Sequence, residues 1–174
     1  KLTSADAKEC QSFIDTGAER VILPHEAKKV PTDRIFAVPL RYVRTNKDKS
    51  GIDGILEAKS RIVVPGHVDP NGEIPVEEGG FKTDAPTEPQ LAFHILLSKA
   101  VRSQWRLKMF DCKSAFLTGK QTDRELYVRP PKEGLNGVPW GSLIKVIKGA
   151  YGLREAPRLW YLRIKELIEK AGFE

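Results

Sequence analysis

The chain has 174 residues, 40% of them hydrophobic, and a formal net charge of +6. That is enough apolar material for one buried core, so a disordered chain is excluded as the default. No apolar run reaches the roughly 18 residues a membrane span needs, and Cys10 and Cys112 lie outside any CxxC or Cys/His ligand cluster, which excludes structural zinc. Charge is segregated along the chain. Lys145 to Lys165 carries a net of +5 and Asp69 to Glu88 a net of −5. Such a distribution suits a polyanionic partner, and equally two solvated faces of opposite sign. The N-terminus has no signal-peptide pattern, so an intracellular location without a membrane is expected. A start on Lys1 and a stop on Glu174, just past a helix-ending glycine, suggest a piece of a longer polypeptide.

In chain order, Ser4 is placed to cap a helix carrying Ala5, Ala7, Phe13 and Ile14 and ended by Gly17. A short strand is expected at Val21–Leu23, with a connector around Pro24 and Pro31. Arg34 to Thr45 and Ile55 to Val64 flank a polar, turn-prone tip and predict a hairpin. Pro65 to Pro89 reads as a loop, and its acidic part, 69–88, has no assigned role. Leu91 to Val101 repeats apolar residues at helical spacing all round, which predicts a mostly buried helix; His94 within it reads as a core or boundary histidine. Strands follow at Trp105–Phe110, Glu125–Arg129 and Leu143–Ile147. After the glycine-bearing segment from Lys148 to Ala156, Pro157 opens a helix that stacks Trp160, Ile164, Leu167, Ile168 and Ala171 and pairs Glu166 with Lys170. The fold class is α+β, a mixed or antiparallel sheet backed by helices. No phosphate-loop motif and no internal repeat is present.

The most informative residue is Asp111. It falls at the end of the alternating stretch from Trp105, in phase with Leu107 and Met109 and just before a small-residue turn. A carboxylate there caps a turn, opens into solvent or meets a cation.

Several segments together resemble one family, the reverse transcriptases of copia-type LTR retrotransposons. Asp111-Cys112-Lys113-Ser114-Ala115-Phe116-Leu117 is similar to the family's D-V-K-N-A-F-L. Ala150-Tyr151-Gly152-Leu153-Arg154-Glu155-Ala156-Pro157-Arg158-Leu159-Trp160-Tyr161 resembles L-Y-G-L-K-Q-A-P-R-x-W-Y. Lys59-Ser60-Arg61-Ile62-Val63-Val64-Pro65-Gly66 resembles K-A-R-L-V-A-K-G, and Glu125 to Pro131 resembles the strand and double proline between the first two. All occur in family order.

The resemblance implies a lead-in helix and connector over 1–33, fingers over 34–85 with a hairpin, and a partial palm over 86–174 that stops before the family's paired-aspartate hairpin. It implies template-directed transfer of a deoxynucleotide, with RNA/DNA template-primer and deoxynucleoside triphosphates as partners, the remainder of a polyprotein as context, and a cytoplasmic particle or the nucleus as location. Such chemistry uses two divalent ions, and Mg2+ favours carboxylate and carbonyl oxygens. Asp111 would be the catalytic metal ligand and the Cys112 carbonyl another. Lys59 and Arg61, on one side of their strand, would reach the triphosphate together with the N–H groups of Ser114 and Ala115; otherwise the two cations are solvated bases. Phe116 would be the ring that excludes a ribose 2′-hydroxyl, or else a core residue. Tyr151 and Gly152 would face the nascent base pair, and Arg154, Arg158 and Arg163 the nucleic-acid backbone. Ser114 stands for the family's common Asn, Pro65 for Lys, and Glu155 for Gln. Arg158 is the expected neutraliser of Glu155. One carboxylate is too few for two ions, so the isolated chain is expected to be inactive. The alternative is a non-catalytic, basic nucleic-acid-binding remnant of a mobile element.

Overall fold

The structure is a computed structural model and describes residues 4–47 and 57–173. Helix α1 (Ser4–Asp15) buries Asp6, Cys10 and Phe13, one stripe at helical spacing. Ile14, expected on that face, is 45% exposed. Gly17 ends the helix in a left-handed conformation, as the sequence predicts. Strand β1 (Glu19–Ile22) follows, then the short helix α2 (Pro24–Ala27).

The hairpin is present as β2 (Arg41–Asn46) and β3 (Ala58–Val63), paired antiparallel with Tyr42 opposite Ile62 and Arg44 opposite Ser60. Its expected tip falls in 48–56, outside the described residues. Ser60, Ile62 and Val64 point into the core while Lys59, Arg61 and Val63 take the other face. A one-residue slip would put the lysine and arginine inside, so burial fixes the register. The main sheet is antiparallel, in the order β1-β5-β4, with β4 at Gln121–Val128 and β5 at Leu143–Lys148. The central strand β5 carries Leu143, Ile144 and Val146 into the core. Segment 35–40 lies along the outer side of β4: Phe36 N–H donates to the Tyr127 carbonyl at 2.8 Å and Leu40 N–H to that of Arg129 at 2.9 Å. That sheet edge is thereby covered. Hairpin, sheet and α1 share one core, in which Phe13, Phe36, Leu40, Ile62, Leu126 and Ile144 are all at most 1% exposed.

Two expectations fail in the same region. Helix α3 (Gln90–Arg102) forms where the spacing places it, yet only Ala100 is buried, and Leu91, Ile95 and Val101 are 71, 60 and 75% exposed. Residues 105–110 form no strand, because no described strand lies beside them to complete a ladder. Trp105, Leu107, Met109 and Phe110 are all exposed, Met109 at 98%. Periodicity reports what a face is suited to cover, and here nothing described covers it. Exposed apolar side chains in this number promote self-association. The chain is expected to bind a hydrophobic dye and to scatter light at micromolar concentration, and Met109→Ser with Phe110→Ser is expected to reduce both. A sharp monomeric peak without dye binding would contradict this.

Helix α4 (Ala156–Lys170) begins with Pro157 in its first turn and buries Ala156 and Leu159. The expected stack along its far end is only half covered, Leu167 and Ile168 being 42 and 46% exposed. The Glu166–Lys170 pair forms at 2.6 Å, with Lys120 also within 3.2 Å of Glu166. The hydrogen bonds of Lys170 and Lys120 hold the Glu166 carboxyl down at about 2.

Candidate functional site

Three predicted residues from distant parts of the sequence meet on one side of the core. Arg61, on the solvent-facing side of β3, places its guanidinium 5.6 Å from the centre of the Tyr151 ring, within range of a cation–π attraction. The Tyr151 ring in turn meets Phe116 edge-on, with centroids 5.7 Å apart. Phe116 is half-buried rather than a closed core residue. Lys59 lies two residues before Arg61 on the same face of β3 and is likewise partly exposed.

The turn that carries Tyr151 is pinned to the end of the hairpin. Val64 N–H donates to the Tyr151 carbonyl at 2.7 Å. Gly152 has φ +84°, and a Cβ there would collide with the Val64 carbonyl oxygen and the Val63 side chain; a Cβ at Gly66 would collide with the Gly152 carbonyl oxygen. Both glycines are required by this close backbone approach.

Ser114 adopts a left-handed conformation, φ 49° and ψ 40°, before the 3-10 turn Ala115–Thr118. Asn tolerates that conformation better than Ser, a physical reason for the Asn in the motif this segment resembles. The Ser114 hydroxyl lies 3.2 Å from that of Ser12 on α1. On the same helix, Glu9 Oε1 accepts from Ile62 N–H at 3.3 Å. Burial pushes the Glu9 carboxyl up, against the pull of Arg61 and Lys59. Sequence reading missed Glu9 and Ser12, since nothing local in α1 shows which face meets β3.

Asp111 is exposed and has neither an ion pair nor a side-chain hydrogen bond among the described residues. Cys112 is partly exposed beside it. Among the described residues no three His, Cys, Asp or Glu side chains converge as a metal cage. One carboxylate does not fit a two-ion centre, and these residues alone would not complete one.

The arginines expected along a nucleic-acid track separate into two kinds. Arg154 Nη1 donates to the Gly72 carbonyl at 2.5 Å, and Arg158 pairs with Asp84 at 2.7 Å. The acidic segment therefore lies against the turn before α4 and the first turn of that helix, and engages two of the bases. Arg163 lines an open cleft with Lys120 and Lys148, and meets the one acid of that cleft, Glu166, at 3.6 Å. The expectation that Arg158 neutralises Glu155 is corrected. Arg124 does so, its Nε and Nη2 lying 3.2 and 3.1 Å from Glu155 Oε1, while Nη1 and Nη2 reach the two oxygens of Asp69 at 2.8 and 3.0 Å. Both carboxylates are buried. Burial pulls the Arg124 guanidinium down in pKa, and the two carboxylates more than offset it. Sequence spacing could not have found this, because its members are 55 and 31 residues from Arg124.

A separate cavity of about 320 Å³, lined by Pro130, Pro131, Leu135 and Trp140, contains no acid, histidine or cysteine and none of the expected site residues.

Residues 25–174 match the family described as reverse transcriptase (RNA-dependent DNA polymerase). The chain is 30% identical, over 82% of its length, to a retrovirus-related Pol polyprotein from transposon RE1 of Arabidopsis thaliana. It is 29% identical over 99% of its length to the Pol polyprotein from transposon TNT 1-94 of Nicotiana tabacum, and 27% over 97% to the transposon Ty1-NL1 Gag-Pol polyprotein of Saccharomyces cerevisiae. The chain spans 9, 12 and 9% of these relatives' own lengths. No solved structure gives a significant match. The chain belongs to the reverse transcriptase family, in its copia-type LTR retrotransposon branch. Reverse transcriptases use divalent metal ions. No helix among the described residues is long and apolar enough to cross a membrane.

Proposed function

We propose that the chain is the nucleotide-facing part of a retrotransposon RNA-directed DNA polymerase, with fingers over 34–85 and partial palm over 86–174. The observation that carries this reading is the convergence of Arg61, Tyr151 and Phe116, drawn from three separate motifs into one ring-and-cation cluster. In this reading Lys59 and Arg61 hold the triphosphate, Arg through a fork and Lys as a point charge. The Ser114 and Ala115 amides open a 3-10 turn, where N–H groups lack helical partners and suit an anion. Phe116 stands against the sugar and disfavours a ribose 2′-hydroxyl. Asp111 and the Cys112 carbonyl supply oxygen ligands toward Mg2+, and the isolated chain, with one carboxylate, does not turn over.

The test is binding of a fluorescent deoxynucleoside triphosphate. Arg61→Ala is expected to weaken it about tenfold, the worth of a charge-assisted hydrogen bond, and Phe116→Ala to abolish the preference over the ribonucleotide. Unchanged affinity in both variants would overturn the reading. Primer extension by this chain is expected to show no magnesium-dependent incorporation.

A second reading, a non-catalytic nucleic-acid-binding remnant, is favoured by the cleft of Lys120, Lys148 and Arg163. It requires binding that weakens steeply with salt and is indifferent to Asp111→Asn. In both readings Arg163 is the backbone contact because it faces the open cleft, where its one acidic neighbour is Glu166 at 3.6 Å, whereas Arg154 and Arg158 turn to the acidic segment.

A further inference from the structure

We propose that Arg124 is a positioning residue for the Tyr151–Gly152 turn, holding that turn to the end of the hairpin by gripping Asp69 and Glu155 at once. Its relevance to nucleotide binding rests on the function proposed above; the mechanical role does not.

Two strips of backbone, 64–69 and 150–155, run against each other. At one end they are joined by the Val64–Tyr151 hydrogen bond and by the Gly66–Gly152 approach, which leaves no room for a side chain. At the other end each strip presents a buried carboxylate, Asp69 from the first and Glu155 from the second. Two buried anions facing one cleft would push the strips apart. Arg124, from β4, enters between them, 15% exposed at its side chain, and satisfies both. Thr122, two residues earlier on the same strand, donates its hydroxyl to Glu155 Oε1 at 2.6 Å. The Phe81 ring closes the outer side, 3.5 Å from the guanidinium carbon.

The geometry needs arginine. A planar fork with donors on two edges can serve two carboxylates while its flat face stacks on a ring, and an ammonium cannot do all three. The same grip accounts for Glu155. Where the related motif has an amide, this chain has a second buried charge, and it has an arginine in reach to balance it. Glu155 and Arg124 thus form a compensated pair, and through it the acidic segment acquires a structural task.

Amide hydrogen exchange on the 174-residue chain tests this. Arg124→Lys keeps the charge and loses the double grip. It is expected to accelerate exchange at 66–72 and 150–155 roughly tenfold or more, while β5 and α1 are unaffected. Adding Glu155→Gln to Arg124→Lys removes one anion and is expected to restore most of that protection, a rescue that general loss of packing would not show. Asp69→Asn, a milder change, is expected to loosen the same two strips to a smaller degree. Unchanged protection at 150–155 in both Arg124→Lys and Asp69→Asn, or uniform loosening of the whole chain, overturns the proposal. If the strips loosen as expected but Arg61→Ala leaves triphosphate affinity intact, the nucleotide reading fails and the positioning role of Arg124 stands.

Discussion

Arg124→Met is expected to destabilise the chain by about 3–5 kcal/mol, because removing one partner of a buried ion group strands the others. The loss comes from Asp69 and Glu155, 0 and 7% exposed at their side chains, left facing each other without a counter-charge. The intact triad need not contribute that much, since charges taken out of water recover only part of their hydration. The distinction is measurable. A triple variant, Arg124→Met with Asp69→Asn and Glu155→Gln, is expected to regain most of the stability in urea melts, because it buries amides and a thioether in place of unpaired anions. A triple variant as unstable as Arg124→Met would show that the packing of the guanidinium on Phe81, and not its charge, holds this corner.

Glu19→Gln is expected to raise stability by up to about 3 kcal/mol at pH 8 and to change it little below pH about 4.5. Glu19 lies on β1 opposite Val146, and its Oε2 is buried without a hydrogen-bond partner among the described residues. Burial pushes its carboxyl from 4.5 up to about 7. The native state therefore keeps a proton that the unfolded chain has already released. Stability from this group is fully present below the unfolded value, falls as pH rises from there, and is lost above the folded value. Urea melts across pH 4 to 8 should show that decline in the parent chain and a flatter profile in the variant. Parallel profiles would mean that Glu19 finds water or a cation when ionised.

Much of the fold was legible because it rests on local pattern. Gly17, the one-sided burial of Ser60 and Ile62, and Pro157 at a helix start each follow from spacing or backbone chemistry within a few residues. The elements that failed share a cause. Leu91 to Val101 and Trp105 to Phe110 have the composition of covered surfaces, and composition cannot say whether the covering partner lies within the described chain. For the candidate site, the motifs identified Arg61, Phe116 and Tyr151 as candidates but not that their side chains would touch, nor that Glu9 would bond the Ile62 amide and Ser12 meet Ser114.

The sequence by itself determined the family and most of the helices and strands, because those rest on short ordered motifs and local periodicity. Only the tertiary structure decided how the charges pair. Arg154 and Arg158 turn to the acidic segment, Arg163 stays at an open cleft, and Arg124 takes the two buried carboxylates. Electrostatic energy depends on distance and burial in space, and residues 55 apart along the chain reach hydrogen-bonding distance only after the core has closed.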